Sequence, residues 1–259
     1  MARKALRQIT KLALITALII GAIIGAYISA TKSLQFPTEE EINSLTNVGA
    51  SLSAGEAIAV QRSRQSAVQV MSLDLSDGGI SASSGTYVKY KGKYFILTTS
   101  HGVGEVCALT QIVADDVLYD CVIYVLRDPQ TDYIIIQVDK IPGRVPVELV
   151  VHTPHRREWS RDISTQTTTF YTGFPNEGGP YTFDGKIVGY KEGEALFVDS
   201  YGWSGSSGAG VFADNGNLIG YVMALETGDT HFGRQVLENF IWVIPLFKVD
   251  WLAIEAFAN

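Results

Sequence analysis

The chain has 259 residues, enough for one large domain or two small ones, and its 46% hydrophobic and 18% charged residues describe a globular protein. Its net charge is −7, but four of the 20 basic residues stand in the first 11 positions, which hold no acid, so the rest carries 16 basic against 27 acidic residues. A body this acidic excludes nucleic acid as a main partner, because phosphate binding needs basic patches.

Residues 1–11 read as a basic tail (Arg3, Lys4, Arg7, Lys11). Next comes "LALITALIIGAIIGAYISA", residues 12–30, which is 19 residues without a charge. About 20 apolar residues cross a bilayer core as a helix, so this segment is expected to be a transmembrane signal anchor with the lipid bilayer as its partner. A signal peptide cut after Ala30 is the alternative, although the apolar region of such a leader is typically only about 7–15 residues. Basic residues before the span and Glu39, Glu40 and Glu41 after it put the N-terminus in the cytoplasm. The body would then lie on the periplasmic or extracellular side. Gly21 and Gly25 have the GxxxG spacing of some helix dimers, a spacing common in any apolar run. Residues 31–63, with Pro37 and the acidic cluster, read as a partly helical stalk.

From residue 64 to 259 the texture changes. Short runs rich in Val, Ile, Tyr, Thr and Phe are separated by Gly, Asp, Asn and Pro: "SAVQVMSL", "GTYVKY", "YFILTTS", "CVIYVLR", "YIIIQV", "TTTFYTGF", "KIVGY", "ALFVDS", "AGVFA", "LIGYVMAL" and "FIWVIP". Many short strands with turns between them indicate an all-β barrel or sandwich. Only "LFKVDWLAIEAF" has apolar residues at helical spacing (Leu246, Val249, Leu252 or else Trp251, and Ile254), which predicts a closing amphipathic helix. Between Cys107 and Cys121 a hairpin turning at Ala114–Asp116 would bring the two thiols near each other. A disulfide suits an exported domain, and two buried free thiols remain the alternative.

The glycine- and serine-rich stretch "YGWSGSSGAG", residues 201–210, reads either as a flexible connector or as a turn that holds a nucleophile. A serine hydroxyl attacks only when a base removes its proton and a third group orients that base. Of the four histidines, His152 and His155 lie in the polar segment "VVHTPHRRE" and His231 in the connection "TGDTHFGRQ". His101 instead follows the apolar strand "YFILTTS" directly. A carboxylate at the mouth of an apolar strand needs a partner, which singles out Asp132 before "YIIIQV", with Asp128 close by as a competitor.

The segments "ILTTSHGV", "TDYIIIQV" and "GSSGAGV" resemble the His, Asp and Ser boxes of the chymotrypsin-like (trypsin-like) serine peptidases, in that family's order and at intervals of 31 and 75 residues. The likeness is greatest to the compact HtrA-type branch, runs from about residue 65 to 257, and includes "TGFP" as a turn of the second barrel. It implies two packed antiparallel six-stranded β-barrels with a C-terminal helix, and an endopeptidase acting on protein or peptide substrates with no metal or cofactor, which the apolar run at 12–30 would anchor to the membrane. It implies His101 as base, Asp132 as orienting carboxylate and Ser207, rather than Ser206, as nucleophile. The N–H groups of Gly205 and Ser207 would form an oxyanion hole, and Tyr201, Met223, Ala224 and Leu225 would wall the substrate pocket, with Glu226 near it. The C-terminal peptide-binding domain of typical HtrA proteins is not expected within residues 1–259. Ala209-Gly210 departs from the family's Gly-Pro. The alternative is a catalytically inactive relative that serves as an exported binding or scaffold module.

Overall fold

The computed structural model describes residues 52–75, 78–149, 163–191, 195–231 and 233–258. The expected anchor (12–30) and most of the expected stalk lie outside them. Among the described residues no helix is long and apolar enough to cross a membrane.

Helix α1 spans Ala54–Ser66 and begins with a capping box, in which Ser53 accepts from the N–H of Glu56 while Glu56 accepts from the N–H of Ser53. It contains residues 54–63, the stretch read above as the end of the stalk. Its side chains reach the second half of the molecule: Ser63 hydrogen-bonds Thr172 at 2.6 Å, Arg64 donates to Thr182 at 2.8 Å and Arg62 to the carbonyl of Gly216 at 2.9 Å.

The N-terminal half is a sheet of eight strands: β1 (Ala67–Leu73), β2 (Ile80–Tyr90), β3 (Lys93–Thr98), β4 (Thr110–Ala114), β5 (Val117–Asp120), β6 (Ile123–Asp128), β7 (Tyr133–Val138) and β8 (Val147–Leu149). Its order is β5-β4-β1-β2-β3-β7-β6, with β8 parallel to β2. The expected six-stranded first barrel is therefore corrected to an open-ended sheet with β5 and β6 at its edges. The reason is the corner between them. Cys121 still donates to Thr110 on the β4 side at 3.4 Å, whereas Val122 already donates to Gln137 of β7 at 2.9 Å. The chain thus crosses the gap in one residue step as a bent strand, where a barrel would need a hydrogen-bonded ladder. The turn at Asp115 and Asp116, both left-handed, sets the β4–β5 hairpin. Across it Cys107 and Cys121 are bonded, with Cα atoms 5.5 Å apart.

The C-terminal half is a closed barrel, β10-β11-β14-β13-β12-β9. Its strands are β9 (Thr168–Gly173), β10 (Tyr181–Lys191), β11 (Ala195–Asp199), β12 (Gly210–Ala213), β13 (Leu218–Thr230) and β14 (Gly233–Pro245). This barrel is the six-stranded one expected. Helix α2, Trp251–Ala258, closes the fold. The helical spacing points first to Leu252, but Leu252 faces solvent and Trp251 and Ile254 are the buried positions, because the helix begins only at Trp251, after a separate turn at Leu246–Lys248.

Three apolar cores follow from the alternation of strand side chains. One fills the N-terminal sheet around Val70, Ile96, Ile134 and Ile136. Another fills the closed barrel around Ile187, Val211 and Val243. The third lies between the halves, joining Phe95 and Ile135 to Phe212, Tyr221 and Trp251.

The Cys107–Cys121 bond closes a loop of 14 residues. Such a cross-link is worth about 3 kcal/mol through the unfolded state. Urea denaturation of the wild type with and without reductant, beside a Cys107→Ser/Cys121→Ser variant, should show a loss of that order in both cases; an unchanged midpoint would refute it.

Candidate active site

The pairing of β3 with β7 sets the first half of the site. Thr98 is opposite Ile134, so the residues just after β3 meet the residue just before β7. Ser100 donates to the carbonyl of Asp132 at 3.3 Å, which extends the ladder by one step. The Asp132 carboxylate then grips His101 twice: Oδ1 accepts from the His101 N–H at 2.9 Å, and Oδ2 lies 2.6 Å from ring Nδ1. Asp132 sits in the left-handed region at φ 58°, which aspartate tolerates better than most side chains. Its side chain is 17% exposed against 53% for His101, so the carboxylate is sheltered and the ring faces outward. From the barrel, Tyr221 donates to the carbonyl of Thr131 at 2.9 Å. Burial, with the charge of Asp132 adding to it, pushes that phenol well above the usual tyrosine range and keeps it a neutral donor.

Asp128, the competing acid, points elsewhere. It accepts from the N–H groups of Gln130 and Thr131 and closes its own turn. His231 lies exposed at the tip of the β13–β14 hairpin, and His152 and His155 fall outside the described residues.

The second half of the site is the loop from β11 to β12. Its carbonyls are drawn backwards onto other elements. Ser204 accepts from Asn176 N–H at 2.7 Å, Gly205 from the Ser84 hydroxyl at 2.7 Å, and Ser207 from Ser84 N–H at 2.9 Å. The N–H groups of Gly205 and Ser207 donate to no backbone acceptor among the described residues. Gly205 has φ 96°, and a Cβ there would stand 2.6 Å from the carbonyl oxygen of Phe174, so only glycine fits. Gly208, at φ 89°, is bound as tightly: its Cβ would come within 2.1 Å of the Ser84 carbonyl oxygen.

The two serines have opposite environments. Ser206 is buried, accepts from Trp203 N–H at 3.5 Å and lies beside the phenol of Tyr171, which itself donates to the carbonyl of Tyr201. Burial raises the pKa of that phenol, so this clamp is uncharged. Ser207 opens into a cleft of about 330 Å³ shared with His101, Gly205, Ser83 and Glu177. Its hydroxyl donates to the Met223 carbonyl at 3.1 Å, and no hydrogen bond joins it to His101 among the described residues.

Of the expected pocket residues, Tyr201 is 47% exposed and stacks on Trp203 with centroids 6.4 Å apart. Met223 packs against the core between the halves and Leu225 against the barrel interior; Ala224, between them on β13, is half-buried. Sequence reasoning did not single out Ser84, Tyr171 or Tyr221. "SASSG" offers three serines with nothing to mark the last of them, and the two tyrosines read as strand residues.

The chain belongs to the trypsin-like peptidase domain family, whose sequence profile matches residues 83–220. No curated protein of similar sequence was found. Among solved structures the fold is similar to a serine endoprotease from Yersinia pestis (19% identity, TM-score 0.60, covering 80% of this chain and 68% of that one). It is also similar to the HtrA-type protease AlgW with a tripeptide (21%, 0.55, 78% and 62%) and to the Rv3671c protease from M. tuberculosis in its active form (17%, 0.55, 76% and 84%). At these identities the likeness is one of fold.

Ser84→Ala removes a donor to Gly205 and leaves the buried N–H of Phe174, which donates to the Ser84 hydroxyl at 2.9 Å, without its acceptor. Chemical denaturation should report a loss of about 1–3 kcal/mol. A loss below about 0.5 kcal/mol would mean that water replaces the hydroxyl without penalty.

Proposed function

We propose that the protein is a membrane-anchored serine endopeptidase that hydrolyses peptide bonds through His101, Asp132 and Ser207. The observation that carries this reading is the double grip of Asp132 on His101 at a cleft that Ser207 also lines, beside two N–H groups with no backbone acceptor among the described residues.

In this reading the carboxylate holds the imidazole with its proton on Nδ1, which leaves Nε2 as the base. A rotation about χ1 takes the Ser207 hydroxyl from the Met223 carbonyl to Nε2. The hydroxyl oxygen attacks the peptide carbonyl as His101 takes its proton. The N–H groups of Gly205 and Ser207 receive the oxyanion; losing one such donor typically costs about 100- to 1,000-fold in turnover. His101 then protonates the departing amine, and water, deprotonated by the same imidazole, releases the acyl group.

The uncharged run at residues 12–30 and the basic tail before it support tethering to a bilayer, with the peptidase domain exported. One observation favours a second reading, a catalytically inactive binding module: the Ser207 hydroxyl rests on Met223 and not on His101.

A fluorophosphonate probe separates the two, because labelling requires an activated serine. Wild type and Ser206→Ala should label, Ser207→Ala should not, and Asp132→Asn should lower peptide turnover by about 10⁴-fold. A folded wild type that takes up no probe decides for the binding module.

A further inference from the structure

His101 must protonate the departing amine, so the leaving segment of a substrate has to lie on the His101 side of Ser207. That side is the 330 Å³ cleft, walled by His101 and Gly102, by the start of β2 at Ile80–Ser83, and by Asn176 and Glu177. No residue of β13, which carries Met223–Leu225, lines it.

The β2 wall has a free edge. Ser84 donates its N–H to Ser207, and its carbonyl accepts from the Thr98 hydroxyl, so both groups point away from β1. Backbone groups two residues apart on a strand point the same way, so the N–H and carbonyl of Ala82 also face away from β1. Pairing of β2 with β3 begins only at Thr86, and Ala82 therefore fronts the cleft rather than a neighbouring strand. An extended peptide finds hydrogen-bonding groups along such an edge. The Ser83 hydroxyl on the same wall is buried and has no hydrogen-bond partner among the described residues.

Glu177 is the one acid in the lining, and it is exposed with no ion pair among the described residues. It is also held in place. Asn176 and Glu177 are both left-handed, at φ 50° and 62°, and Asn176 N–H is fastened to the carbonyl of Ser204 in the loop that carries the nucleophile. The backbone that carries the carboxylate is therefore held against the loop of Ser207.

We infer that this cleft receives the residues following the cleaved bond and that Glu177 selects a basic side chain at the first or second of them. The inference rests on the peptidase reading above. An exposed pair of this kind gives a modest preference, about threefold to fivefold, which salt weakens.

The test reads the leaving-group side directly and needs no knowledge of the natural substrate. Full-length protein is acylated by a small activated ester and offered dipeptide amides with Arg, Gln or Glu at the first or second position. The α-amine of the acceptor attacks the Ser207 ester carbonyl while His101 takes a proton from it. That proton returns to Ser207 Oγ as the ester bond breaks and the amide forms, the reverse of the leaving-group step. Acceptors carrying Arg should capture the acyl group about threefold to fivefold better than those carrying Gln, and better still than those carrying Glu. Glu177→Gln should abolish the ranking and Glu177→Lys reverse it. Equal capture by Arg and Glu acceptors, a ranking that survives in Glu177→Gln, or capture by no acceptor while the ester is hydrolysed overturns the inference and leaves the peptidase reading standing. Failure of the folded wild type to label overturns both.

Discussion

Ser84 ties the two halves of the molecule together at the point where their functional side chains meet. Its N–H holds the carbonyl of Ser207, its hydroxyl holds the carbonyl of Gly205 and accepts from Phe174, and its own carbonyl accepts from Thr98 at the end of β3. One residue of the N-terminal sheet therefore fixes the barrel's loop against the strand that leads to His101. His101 and Asp132 belong to one half and Ser207 to the other. Their separation is set by these few bonds together with the apolar core between the halves.

That core cannot slide freely, because α1 is fastened on both sides. Its side chains reach the barrel through Ser63, Arg64 and Arg62, while the buried Arg144 of the N-terminal half donates to the carbonyl of Arg64 at 3.0 Å and pairs with Asp115 at 3.1 Å. Asp115 lies in the turn between β4 and β5, so the strap reaches the same hairpin that the disulfide closes. Helix, hairpin and disulfide thus brace the open sheet in the absence of a closed ladder.

Much of the fold was legible because strands buried on one or both faces leave a chemical trace. The runs "YFILTTS" and "YIIIQV" coincide with β3 and β7, and the ends of those strands led to His101 and Asp132. What escaped was set by pairing and not by composition. β13 and β14 extend to Thr230 and from Gly233 because polar residues on each satisfy the other's backbone, which no apolar alternation announces. The open first sheet depends on a one-residue switch of partners at Cys121 and Val122, both of which read as ordinary strand residues. At the site, the choice between Ser206 and Ser207 rested on likeness to a family box. In the structure the two differ in burial: one hydroxyl is enclosed beside Tyr171 and Trp203 and the other opens on the cleft. Ser84 and Tyr171 contribute only through the distant residues they meet, so their neighbours in sequence say nothing about them.

The clamp on Ser206 is made entirely of neutral groups. From Ser200 to Gly210 the chain carries no acid and no base apart from the phenol of Tyr201, and the loop's partners Ser84, Phe174, Asn176, Tyr171 and Val222 are likewise uncharged at neutral pH. Coulombic screening by salt weakens interactions between charges and leaves bonds between neutral dipoles nearly untouched. The shape of the turn that carries Ser206 and Ser207 is therefore decoupled from ionic strength. An ionic-strength dependence of the rate would then report the charge of the incoming chain and not a distortion of the turn that receives it.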